Sequence, residues 1–334
     1  MKKAASLLLV IIAMAVFVPS AMAQQPANPT PAQGDQTGEM SPLAAAPQLY
    51  DRALNAFDSQ NFERAILDIS LYLLVNPTDN RAYLLRAISY VQSDDIDAAA
   101  DDLTQAITLT AADREPDFAA RLYFLRGSLY SETESFDAAI ADYNQSIAIA
   151  PSADAYTSRG LVYFTTQDLD SALNDFDEAI ALDATDPILF YYRAAVNAQM
   201  GNGAASAADY VEFFDLVGAE RRPANDPLLS GEPEVFPLTA GTLWTIPFEG
   251  REGQLLSVLA LGRPDSGVDP VLVLLDPNGE PLTADDDSAD DPTGLGALLL
   301  GYPLPETGMY TLLVAGTLAS QEGEALIGIE LLDP

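Results

Sequence analysis

Small residues recur along half of this chain at a spacing that stacked helical hairpins satisfy and few other folds do. Ala53, Ala87, Gly127, Gly160 and Ala194 are separated by 34, 40, 33 and 34 residues. Ala65, Ala99, Ala139, Ala172 and Ser206 keep the same steps twelve residues later. Around the third pair, Tyr123, Gly127 and Tyr130 have helical spacing, Glu132 to Ser135 is a polar break, and Phe136, Ala139, Ile140, Tyr143 and Ile147 mark a second helical face that Pro151 ends. The two small residues are the places where one helix can approach the other closely. The longer second step holds Arg114-Glu115-Pro116, read as a loop insertion.

Two more columns share the period. Arginine precedes each first slot (Arg52, Arg86, Arg126, Arg159, Arg193), and aspartate follows each second slot by three (Asp68, Asp102, Asp142, Asp175, Asp209). Five of 13 arginines in one column point to true repeats, and each Arg is expected to reach the Asp of its own or a neighbouring repeat as a structural ion pair. Pro77, Pro151 and Pro187 are read as helix stops, with Asp79, Asp154 and Asp186 where the next helix begins.

The run Tyr123-x2-Arg126-Gly127-x2-Tyr130, Ala139-x3-Tyr143, Pro151 resembles the tetratricopeptide repeat, with Tyr in place of Trp and Arg in place of Leu. The resemblance covers residues 47–217 and implies an all-α solenoid of about five helix–turn–helix repeats. A single repeat cannot bury its apolar face, whereas stacked repeats can, and they leave a concave surface. In this family that surface commonly takes peptides or helices. Positions three before, one after and four after each first slot lie near one face, which selects a partner-binding groove of Tyr50, Phe57, Leu84, Ile88, Phe124, Thr157, Phe164 and Tyr191, with Arg81 and Arg121 as a basic edge. The other reading of each residue is solenoid core.

Flanking segments divide the chain further. Residues 1–23 read as a signal peptide: Lys2 and Lys3, an apolar run from Leu7 to Val18, then Ala21-Met22-Ala23. Residues 24–46 read as a flexible linker and 218–232 as a second one. From 233 to 334 the period shifts to that of strands, with short apolar runs between turn signals such as Asp276-Pro277-Asn278-Gly279 and Glu306-Thr307-Gly308. This half resembles the bacterial pre-peptidase C-terminal domain, through Pro237–Gly241 with Trp244, Asp269–Gly279, Leu282 with Asp285-Asp286-Asp287, and Glu306–Val314. That likeness implies a jelly-roll-like β-sandwich, so the expected fold class is multidomain α + β.

Without the first 23 residues, 13 arginines face 50 acids, a balance of −37, which speaks against nucleic-acid binding. Cysteine and histidine are absent and both lysines lie in the signal segment, so His- or Cys-based triads, Schiff-base lysines and Walker loops are excluded. The expectation is no enzyme and no cofactor. Calcium at Asp285, Asp286, Asp287 and Asp290 is the one metal candidate, its alternative a solvated acidic turn. The functional expectation is an exported, extracytoplasmic adaptor for a basic or apolar protein or peptide, without nucleic acid and without membrane insertion after signal cleavage. The alternative is a carbohydrate- or matrix-binding module, with Trp244 and Tyr302 as a stacking platform and the repeats as spacer.

Overall fold

The computed structural model describes residues 42–224, 227–239, 241–263, 268–286, 296–316 and 322–333, with side chains from residue 46. The signal segment, most of the first linker, and Asp287 and Asp290 of the calcium candidate lie outside the described residues. Among the described residues ten helices follow in sequence: α1 (Pro42–Asp58), α2 (Phe62–Leu73), α3 (Asn80–Gln92), α4 (Ile96–Leu109), α5 (Pro116–Glu132), α6 (Phe136–Ile149), α7 (Ala153–Thr165), α8 (Leu169–Leu182), α9 (Pro187–Gln199) and α10 (Gly203–Leu216).

Each helix–turn–helix turns at one left-handed residue: Gln60, Asp94, Glu134 and Gln167 at φ 59 to 64°, and Gly201 at 76°. The next residue is the N-cap of the following helix, and at three of the five turns its side chain accepts a capping bond. Asn61, Asp95 and Asp168 accept from the backbone N–H of Arg64, Ala98 and Ser171. Asp79 and Asp186 cap α3 and α9 in the same way. Pro187, expected to stop a helix, instead opens one at its first turn, as does Pro116; the missing N–H has no partner to lose there.

The molecule divides into two compact units, Met1–Val162 and Tyr163–Pro334. In the first, Ile69, Leu85, Ile88, Leu103, Leu122 and Leu125 form a closed core, and every small slot residue is buried. Gly127 shows why the slot stays small: a β-carbon there would stand 3.1 Å from the Tyr143 ring.

The second unit contains α8 to α10 and nine strands: β1 (Glu220–Pro223), β2 (Glu234–Leu238), β3 (Thr242–Gly250), β4 (Leu255–Gly262), β5 (Pro270–Leu275), β6 (Pro281–Asp285), β7 (Gly296–Pro303), β8 (Gly308–Gly316) and β9 (Gly323–Leu332). One sheet has the order β1-β3-β8-β5-β6, the other β2-β9-β4-β7. Strands β2 to β9 thus follow the two-sheet order of an eight-stranded jelly roll, as expected. Phe248, Leu272, Leu274, Tyr310 and Leu312 of the first sheet meet Phe236, Leu256, Val258, Ile327 and Ile329 of the second in one core.

Two strands escaped the sequence reading. β1, inside the stretch read as linker, is fully exposed and pairs in parallel with the edge of β3, and β6 opens what reads as an acidic loop. Within this unit the outer face of the first sheet is also buried. Val271, Val273, Leu275, Leu313 and Ala315 pack on Phe190, Ala194, Tyr210, Phe213 and Phe214 of α9 and α10. That is why β5 reads as an unbroken apolar run: both of its faces are covered. Gly203 admits the approach, since a β-carbon there would fall 2.5 Å from the Thr283 hydroxyl.

Candidate interaction surfaces

The arginine and aspartate columns meet within repeats. Arg86 and Arg126 each grip Asp102 and Asp142 through Nε and Nη2, all at 2.7 Å. Arg52 reaches Asp68 at 2.8 Å and Arg193 reaches Asp209 at 2.6 Å. For the remaining pair, Arg159 and Asp175 lie in different units; Asp175 is buried, and Arg159 donates to Asn144. The same arginines also reach back one repeat, to Ser70 from Arg86, Thr104 from Arg126 and Asp177 from Arg193. Those acceptors, with Asn144, sit two residues after each column aspartate, a further column that the sequence reading missed although its spacing was in view.

Aromatic rings three before and four after the arginine flank it, Tyr83 and Tyr90 about Arg86 and Tyr123 and Tyr130 about Arg126. Hydrogen bonding to Asp102 holds the Arg86 guanidinium above its ordinary range. Burial nevertheless pushes the Asp102 carboxyl up, outweighing the pull of Arg86 in the other direction. Desolvation thus works against the pairing in this ladder of ion pairs, as it does for buried charges in general.

The proposed groove is only partly open. Tyr50, Leu84 and Ile88 are buried at 3, 3 and 1% exposure and belong to the core, correcting their assignment as groove residues. Neighbouring helices close over the middle of these columns, which helical spacing within one repeat does not reveal. Phe57, Phe124 and Thr157 stay half-buried in the first unit, and Phe164 and Tyr191 in the second. Phe57 rests on Phe62, Phe124 on Tyr143, and Tyr191 on Tyr210 and Phe213. The Thr157 hydroxyl bonds Ala153 of its own helix. Arg81 pairs with Glu115 at 2.7 Å and lies over the Phe118 ring, while burial lowers the Arg121 pKa.

A second surface was not anticipated. Leu67 and Leu71 on α2, and its C-cap residue Leu74, are 49, 42 and 78% exposed on the face opposite the core side, which carries Ala65, Ile69 and Leu73. The same three columns are exposed in every repeat. Elsewhere they hold Asp101, Gln105 and Thr108; Ala141, Gln145 and Ala148; Asn174, Glu178 and Ala181; or Ala208, Glu212 and Asp215. Aligning the repeats and looking for the one that breaks the polar pattern would have found this leucine stripe.

In the β-sandwich, Asp285 accepts from the Leu298 backbone N–H at 2.7 Å and Asp286 from the Tyr210 hydroxyl at 2.5 Å. Each of these two calcium candidates thus carries a hydrogen bond of the fold, and among the described residues there is no group of three or more acids placed to hold a metal. Trp244 and Tyr302 form no platform, a second correction. They belong to different sheets and each packs on the sandwich core, with Trp244 donating to Pro237 O at 2.8 Å. Alternation along a strand marks which residues share a face, but not which sheet the strand joins.

Residues 50–116 and 120–152 match tetratricopeptide repeat family models, and residues 160–201 match a TPR repeat model. The helical hairpins in these stretches are thus tetratricopeptide-like repeats. Among solved structures, the chain is similar to crystalline MamA at 18% identity, over 52% of this chain and 91% of that one, with a TM-score of 0.47. It is also similar to MamA 41-end from Desulfovibrio magneticus RS-1 at 16% identity, over 52 and 94%, with a TM-score of 0.47. YrrB, described as a TPR protein with an unusual peptide-binding site, matches at 17% identity, over 51 and 86%, with a TM-score of 0.44. No curated protein matches the chain.

Proposed function

We propose that the chain is a non-catalytic scaffold whose repeats hold an apolar segment of a protein partner, and that it works outside the cytoplasm. The leucine stripe on α2 carries this reading. Three leucines at i, i+4 and i+7 in positions that four other repeats keep polar or small cost solubility, and a docking partner gives them a role. Phe57, Phe124 and Thr157, half-buried in the same unit, together with Arg81 and Arg121, are further contact candidates there. The missing His, Cys and Lys chemistry supports the non-catalytic part, and the signal-like residues 1–23 support export. In this reading the β-sandwich, with its likeness to the pre-peptidase C-terminal domain, closes the apolar end of α9 and α10 and serves for attachment or stabilisation.

The test is retention of partners from a native envelope extract by the wild-type chain, a Leu67→Gln/Leu71→Gln/Leu74→Gln variant and a Phe57→Ala/Phe124→Ala variant, with melting curves for all three. A protein held by the wild type and lost by the leucine variant at unchanged melting temperature is the expected result. Identical retention by all three sinks the proposal.

A further inference from the structure

The sheet β2-β9-β4-β7 has its inner face in the sandwich core, and an antiparallel sheet of this kind ordinarily turns polar side chains to water on the other. Here the outward side chains are apolar. Val235, Leu326, Leu259, Leu255, Leu332 and Leu300 are 39 to 77% exposed, and Leu261 and Leu298 are half-buried beside them. Register makes these a continuous band. Val235, Leu326 and Leu261 lie in one row across three strands, Gly328, Leu259 and Leu298 in the next, and Leu332 faces Leu255 further along. Only Glu330 and Ser257, opposite each other, interrupt it, and the ion pair of Arg263 and Glu324 (2.7 Å) bounds it at one end.

We infer that this face binds a second copy of the chain through a two-fold axis running along the strands between β9 and β4. That axis exchanges the two central columns. Arg263 then meets the partner's Glu324 and Glu324 the partner's Arg263, so the one charged row is complementary to itself. Glu330 meets the partner's Ser257, and Leu326 the partner's Leu261. Leu259 meets the partner's Gly328, where no side chain stands and Pro233 borders the space. No like charges are brought face to face in the two central columns, although the chain as a whole is strongly acidic.

The area agrees. Four strands about 4.8 Å apart and five rows about 6.8 Å apart give a face of roughly 600 Å². Two such faces together hide about 1,200 Å², the lower bound of stable specific interfaces. Two sheets stacked about 10 Å apart repeat the packing that already joins the halves of each sandwich. The interface is isologous, each copy presenting the same face to the other.

Sedimentation equilibrium on the full chain decides this. The expected result is a monomer–dimer equilibrium with a micromolar Kd, on the order expected of so small an apolar face. Leu259→Glu, which leaves the inner face untouched, should raise that Kd at least tenfold at unchanged melting temperature. Arg263→Glu and Glu324→Arg should each weaken self-association at least tenfold, while an equimolar mixture of the two should pair as the wild type does. A contact within one chain cannot produce that rescue in trans. A wild type that stays monomeric at about 100 µM overturns the inference, as does a dimer indifferent to Leu259→Glu or a mixture that fails to associate.

Discussion

Replacing Arg126 by leucine isolates the ladder. Asp142 is 4% exposed and is held by two 2.7 Å bonds from this one guanidinium, which also donates to Thr104 at 2.8 Å and sits between Tyr123 and Tyr130. The substitution keeps most of the apolar stem and removes the charge, leaving Asp142 buried without its cation. Breaking a buried pair from one side costs about 3–5 kcal/mol, whereas exchanging both partners for apolar residues is often neutral or stabilising. Arg126→Leu is therefore expected to lower the melting temperature by about 10 °C, at roughly 2–4 °C per kcal/mol for a chain of this size class. The double variant Arg126→Leu/Asp142→Leu should recover most of the loss. Thermal unfolding followed by far-ultraviolet circular dichroism reads both. A single variant within about 1 kcal/mol of wild type, or a double variant no better than the single, would refute the argument that the cost lies in the stranded carboxylate.

Other perturbations test separate parts of the fold. Glu134 holds a left-handed turn at φ 60° where the fifth repeat has Gly201, so Glu134→Gly should not destabilise and should add up to about 1 kcal/mol; a clear loss in urea titration would contradict the strain assigned there. Gly262→Ala would set a β-carbon 1.9 Å from the Val268 carbonyl oxygen, so it should cost about 3 kcal/mol or abolish soluble expression, and a normally stable variant would show the strand ends to be looser than described. Burial first, and Asp286 next, raise the Tyr210 hydroxyl well above its ordinary pKa. Its contribution is then fully present below about pH 10 and is lost as pH rises through the folded value. Tyr210→Phe should cost about 1.5–3 kcal/mol at pH 7, with the gap to wild type closing in alkali; a gap constant to high pH would place the effect elsewhere.

Much of the solenoid was legible because its constraints are local and repeated. Gly127 and Ala139 must be small where two helices touch, and Arg126 and Asp142 keep a fixed spacing of 16, so each repeat confirms the others. The strand region was legible as short apolar runs between turn signals, such as the Asp276–Gly279 turn that follows β5. β1 was not, because Glu220–Pro223 has no buried face and is a strand only through pairing with β3. Among the groove residues, Phe57 and Phe124 are half-buried while Tyr50, Leu84 and Ile88 are buried, since burial there depends on the next helix over.

The amino-acid sequence by itself determined the repeat period, the ion-pair columns and the change from helix to strand, for each follows from residue type at a fixed chain separation. Only the tertiary structure decided which apolar residues stay uncovered. Leu255, Leu259 and Leu326, on the outer face of the second sheet, resemble core leucines in every local respect. Their exposure is set by what packs over them, and that depends on contacts between segments far apart in the chain.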